Sequence, residues 1–214
     1  MVMLPEGYCI DRTEVTQGQY AAWLEGAPST GGQLQECEWN TSYEPLCDWF
    51  GPSRYDFPVV CVDWCDAYAY CEGVGKHLCG SRAGCGDGWN PMDPDESQWY
   101  NACVSGAANH LFPYGDVYDT DACNGGDHSV GRTVEVATMA ECRSSVQGYE
   151  GVYDLTGNVW EWEDLCAAIP GQSELCSIRG GSWGEFEDDA GCARTDFARR
   201  DEQAGTIGFR CCAP

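Results

Sequence analysis

Three tryptophans set among glycines and charges constrain this chain most: Gly157-Asn158-Val159-Trp160-Glu161-Trp162, then Arg179-Gly180-Gly181-Ser182-Trp183, then the closing Gly208-Phe209-Arg210. Large rings are buried where a fold allows it and their N–H groups then need partners, whereas glycine lets backbone approach closely or turn sharply. Such a mixture suits short strands and tight loops around an aromatic core. The second half of the chain therefore carries the centre of the fold.

Nothing in the 214 residues reads as a linker rich in Pro, Ser or charge, so one domain over 1–214 is expected. Sixteen cysteines spread from Cys9 to Cys212 far exceed ordinary usage and favour disulfides in an oxidising compartment, that is, a secreted, extracellular or periplasmic protein. Zinc is the competing reading at Cys61, Cys65, Cys71, Cys79 and Cys85, but these lack paired two-residue gaps, and His77, His110 and His128 form no i, i+4 pair. Adjacent Cys211 and Cys212 are expected to tie the C-terminus to two different places.

A formal charge of −24, from 35 acidic against 11 basic residues, argues against nucleic acid or an anionic membrane as partner. No apolar run has transmembrane length, so membrane insertion is not expected. Met1-Val2-Met3-Leu4-Pro5 lacks the basic start and apolar stretch of a signal peptide, which under the export reading implies a trimmed or mature N-terminus. The abundant acids solvate the surface, hold cations or meet a cationic ligand.

Gly7 to Asp11 alternates as a short strand, and Thr16 with Gln19 makes a capping box for a helix through Tyr20, Trp23 and Leu24. Residues 27–57 show no period and read as a long loop stapled by disulfides, with a glycosylation sequon at Asn40-Thr41-Ser42. Pro58 to Val62 reads as an apolar strand leading to Asp63, the N-cap of a helix whose stripe is Trp64, Ala67, Tyr68 and Cys71. A third helix is expected through Trp99, Ala102 and Cys103, and short strands from Ser177 onward. Two acidic loops, one through Asp87 to Asp95 and one through Asp116 to Asp127, lack EF-hand spacing; solvated turns and calcium sites both remain open.

The ordered trio of motifs resembles the formylglycine-generating-enzyme-like, or sulfatase-modifying-factor, family. Thr13-Glu14-Val15-Thr16, Phe112-Pro113-Tyr114-Gly115 and Gly151-Val152-Tyr153-Asp154 resemble its other landmarks. The resemblance implies an α+β, C-type-lectin-like fold with few short helices, short twisted strands, much irregular loop and, here, many disulfides. It also implies structural calcium, one site using Gly157, Val159 and the side chain of Glu161 with Asn158 adjacent. A second site would begin at Asn124, with Asp127 one residue away from the usual aspartate.

Active members of that family convert a substrate cysteine to formylglycine with oxygen and hold copper(I) between two cysteines after the Gly-Gly-Ser-aromatic motif. Soft thiolates select the cuprous ion, so the pair is needed. At those two positions this chain has Glu185 and Ala190, with Cys192 two residues beyond, so copper and oxidase activity are not expected. The expected role is a non-catalytic extracellular binding domain. Its ligand surface, by resemblance to diversified binding proteins of the same fold, is Glu185, Phe186, Glu187, Asp188, Asp189, Thr195, Asp196 and Phe197. An acidic patch with phenylalanines suits a cationic ligand, a glycan or a protein partner; the competing reading puts Phe186 and Phe197 in the core. A divergent oxidase and a structural subunit of an extracellular assembly or homo-oligomer are the alternatives.

Overall fold

Alternation through Trp160–Cys166 places the tryptophans on one face of a strand and Glu161 and Glu163 on the other, and the remaining elements assemble on those two faces. The computed structural model describes residues 1–47, 54–83, 89–167, 174–186 and 191–214. Its strands are β1 (Val2–Met3), β2 (Cys9–Ile10), β3 (His77–Leu78), β4 (Trp160–Cys166), β5 (Leu175–Arg179), β6 (Thr195–Arg199), β7 (Ile207–Phe209) and β8 (Cys211–Ala213). One sheet runs β1-β2-β8-β3, all antiparallel; the other runs β6-β5-β4-β7, with β7 parallel to β4. Because β7 and β8 are separated only by Arg210, the C-terminus stitches the two sheets together.

Helix α1 (Gln17–Leu24) begins at the capping box foreseen, with Thr16 Oγ1 accepting from Gln19 N and the Gln19 side chain accepting from Thr16 N. Helix α2 (Trp64–Gly73) uses Asp63 and Asp66 in the same reciprocal way. Helix α3 (Gln98–Val104) is capped by Ser97. Tyr20, Trp64, Tyr70, Trp162, Ile178 and Phe209 form one core between α1, α2 and the second sheet. Leu4, Ile10, Trp99, Val152 and Leu155 form another between α3 and the first sheet. Full burial of a ring such as Phe209 contributes about 1.5–3 kcal/mol.

The cysteines form seven disulfides among the described residues: Cys37–Cys65, Cys47–Cys61, Cys71–Cys211, Cys79–Cys212, Cys103–Cys192, Cys123–Cys142 and Cys166–Cys176. Cys211 and Cys212 do diverge, to α2 and to the segment after β3. Four of the five clustered cysteines considered for zinc are thereby consumed; Cys85 lies outside the described residues, and Cys9 forms no bond with a described cysteine.

Two expectations are corrected. Pro58–Val62 joins no sheet: Pro58 bridges Thr16, Val59 N donates to Val15 O at 2.9 Å, and Cys61 N donates to Ala204 O at 3.0 Å with a positive φ of 61°. The run is apolar because neighbours bury it completely, a condition that an apolar stretch shares with a strand. The sequon is closed as well, because Asn40 is buried and its Nδ2 donates to Asp66 Oδ1 at 2.7 Å.

Candidate functional site

The three motifs meet through charge. On the face of β4 opposite the tryptophans, Glu161 receives Arg210 Nε and Nη2, each at 2.6 Å, and Trp99 Nε1 at 2.8 Å. Two residues on, Glu163 accepts Ser97 Oγ at 3.0 Å and Ser177 Oγ at 3.2 Å, with Arg179 Nε 3.9 Å away. The Arg179 guanidinium lies over the rings of Trp99 and Tyr100, 5.1 and 5.2 Å from their centroids. Burial raises the Glu163 carboxyl, against the pull of Arg179. Burial also works to lower Arg210, but Glu161 outweighs it and the guanidinium is held above its ordinary value. Removing one partner of such a buried pair costs about 3–5 kcal/mol.

Two glycines permit this meeting. Gly157 (φ 74°) and Gly180 (φ 87°) sit where a Cβ would lie 2.7 Å from Asn124 O and 2.5 Å from Leu155 O. Asn158, next to Gly157, is a hub: its carbonyl accepts from Trp183 N at 3.1 Å, its Oδ1 from Val134 N at 2.9 Å, and its Nδ2 donates to Glu14 Oε1 at 2.9 Å.

Beyond this frame lies the segment where the family's copper site would be. Glu185 is half-buried and folded back: its Oε2 accepts from Ser182 N at 2.7 Å and Ser182 Oγ at 2.5 Å, and its Oε1 accepts from Trp160 Nε1 at 3.1 Å. Cys192 is buried in its disulfide with Cys103. Beside Glu185 is a small cleft walled by Phe112, Tyr114, Tyr118, Asp119 and Ser182. The Phe112 and Tyr114 rings stack at 5.4 Å and 8°. Those aromatics were not singled out as site residues from sequence, although their aromatic-Pro-aromatic-Gly turn was the available signal.

Of the proposed ligand residues, Phe186 (60% exposed) and Phe197 (54%) face solvent rather than core. Asp196 is exposed, accepts from Phe197 N at 2.8 Å and lies 3.7 Å from Arg194. Thr195 is half-buried, its hydroxyl against Arg179 Nη1. Glu187, Asp188, Asp189 and Ala190 lie outside the described residues. The structure thus brings Phe186, Asp196 and Phe197 to the surface and turns Glu185 inward.

The calcium residues separate differently. Both Glu161 oxygens face Arg210, so a guanidinium already stands where a cation would be expected, and the carboxylate does not fit a further role as metal ligand. Asn124 is buried, its Nδ2 donates to Asn158 Oδ1 at 3.1 Å, and its own Oδ1 has no partner among the described residues. That oxygen fits a hard cation. Asp127 instead sits on the surface, accepting from Tyr118 at 2.8 Å.

A model of the sulfatase-modifying factor enzyme 1-like domain matches residues 1–213. The inactive C-alpha-formylglycine-generating enzyme 2 of Bos taurus is 28% identical over 168 residues, covering 74% of this chain and 50% of that protein. The formylglycine-generating enzyme of Streptomyces coelicolor is 30% identical over 186 residues, 74% of this chain and 53% of that protein. The chain thus spans about half the length of these curated relatives. Among solved structures, CarF superposes with a TM-score of 0.63 at 21% identity, over 97% of this chain and 86% of that one. PvdO from Pseudomonas aeruginosa gives 0.62 at 23%, over 96% and 79%. Treponema denticola variable protein 1 gives 0.60 at 20%, over 96% and 84%. These likenesses establish the fold.

Proposed function

The chain belongs to the sulfatase-modifying factor enzyme 1-like family, and on that premise we propose that it is a non-catalytic binding domain of the extracellular space, presenting its ligand surface on the loop after Ser182 and on β6. The carrying observation is Glu185: where active relatives would keep the first copper-binding thiolate stands a carboxylate already held by Ser182 and Trp160. Cys192, the one nearby thiol, is spent on Cys103. Without two thiolates there is no soft site to select copper(I). What supports a binding role is the rim itself, where Phe186, Asp196 and Phe197 stand exposed on a scaffold braced by disulfides, an arrangement suited to a protein, a glycan or a cationic ligand. The seven disulfides among the described residues suit an oxidising location.

The test is to incubate the purified protein with copper, oxygen and cysteine-containing peptides and follow peptide mass. Unchanged peptide is expected. Conversion of cysteine to formylglycine would install the divergent oxidase in place of the binding domain. A calcium ion, on this reading, would rest on Asn124 Oδ1 with backbone oxygens of the adjacent turn and supply only charge and rigidity. Chelation is then expected to lower the thermal midpoint by a few degrees in calorimetry, and Asn124→Ala to abolish that difference.

A further inference from the structure

Trp183 lies between Ser182 and Glu185 in sequence but lines a separate cleft, of roughly 230 Å³, together with Gln17, Arg54, Arg132, Thr133 and Gly205. Two arginines in one cleft run against the grain of a chain with 11 basic and 35 acidic residues. The floor is more telling. Gln17 is almost wholly buried, and its Oε1 has no hydrogen-bond partner among the described residues. A buried acceptor left bare costs about 1–3 kcal/mol, which a donor entering the cleft would recover.

The walls are held in place before any ligand arrives. Asn158 fixes two of them, accepting from Trp183 N at 3.1 Å and from Val134 N at 2.9 Å, while Asn124 Nδ2 donates to Arg132 O at 3.0 Å. The third is tied to α1: Gln17 N donates to Phe57 O at 2.9 Å, Phe57 N to Arg54 O at 3.0 Å, and the Arg54 guanidinium sits 5.0 Å over the Phe57 ring. Little ordering remains to oppose binding.

We propose that this cleft binds a single acidic sugar unit, a monosaccharide bearing a carboxylate or sulfate. The Arg132 guanidinium meets its anionic group, a ring hydroxyl donates to Gln17 Oε1, and the C–H face of the ring packs on the Trp183 indole. A bare anion would leave Gln17 and the indole unused, and a neutral sugar would leave the Arg132 guanidinium unused. A polyanion such as nucleic acid is disfavoured by the net charge of −24. The inference does not rest on the binding surface proposed above, since it uses other residues and the opposite ligand charge.

The test is a ligand-observed NMR titration of the whole chain with methyl glucuronide, methyl glucoside, glucose 6-sulfate, acetate and inorganic sulfate. Saturable binding of glucuronide or of the sulfated sugar is expected, at least about tenfold tighter than the glucoside, acetate or sulfate, and weakening as salt is raised. The carboxylate and sulfate arms tell which anion is preferred. Arg132→Gln, at an exposed side chain, is expected to lower affinity about tenfold, the loss of one charge-assisted contact, and Arg143→Gln, exposed and outside the cleft, to leave it unchanged. The proposal is overturned if neither acidic sugar binds, if acetate or sulfate matches them, or if Arg132→Gln binds as the parent does.

Discussion

Strands β4 and β6 share one sheet with β5 between them, yet treat charge in opposite ways. On β4, Glu161 and Glu163 are buried and each answers an arginine from another motif, so that the three motifs are locked by buried ions. On and beside β6, Arg194 with Asp196 and Arg199 with Asp201 pair in solvent over two residues of sequence. Exposed pairs of that kind are worth at most about 1 kcal/mol. The inner strand spends its charges on geometry; the outer strand leaves them open to exchange, and a ligand surface can change there without disturbing the frame.

The sharpest way to break the contrast is one neutral substitution on each strand. Glu161→Gln leaves the Arg210 guanidinium buried without its counter-charge and is expected to destabilise by about 3–5 kcal/mol. In a chain of this size that lowers the thermal midpoint by about 10 °C, read by calorimetry. Asp196→Asn is expected to stay within about 0.5 kcal/mol of the parent. Equal losses would abolish the distinction between frame and rim.

A smaller effect is read from the buried carboxyls that burial lifts. At the start of α2, burial pushes Asp63 up to about 6 and holds Asp66 well above the ordinary carboxylate range. Burial likewise lifts Asp154 to about 6 and raises its neighbour Glu14. A folded-state value above the unfolded one means that the folded chain keeps protons the unfolded chain releases. The stability linked to Asp63 is therefore full below about pH 4 and is lost as pH rises through about 6, on the order of 3 kcal/mol for such a shift. Urea midpoints are expected to fall across that window, and Asp63→Asn to flatten the fall. A flat profile in the parent would place these carboxyls in contact with solvent.

The frame was legible because its signals are local or periodic. The capping box at Thr16, the N-cap at Asp63, the helix through Trp99, and the glycines flanking tryptophans each carry their structure within a few residues. Pro58 to Val62 misled because burial on all sides gives the same apolar run as a ladder strand. The site was only half legible. Glu185 in place of a thiolate could be read from the motif, but not that Ser182 and Trp160 turn its carboxylate inward. Gln17, Arg54, Arg132 and Trp183 come from four separate stretches, and only the folded backbone hub at Asn158 brings two of those stretches together.

The smallest expected effect on stability tests the rim most directly. Phe186 and Phe197 already leave more than half their surface in water, so little burial is lost when they go. Phe186→Ser and Phe197→Ser are expected to shift the urea midpoint by an amount equal to less than about 0.5 kcal/mol each. Partial exposure also means that each ring keeps much of its hydrophobic free energy unrealised until something covers it, as at a binding surface. A loss near the roughly 3–5 kcal/mol typical of a core phenylalanine would mean instead that these rings are covered in solution. The phenylalanines would then belong to the frame, and the ligand surface would have to be sought at the clefts of Tyr114 and Trp183 rather than on β6.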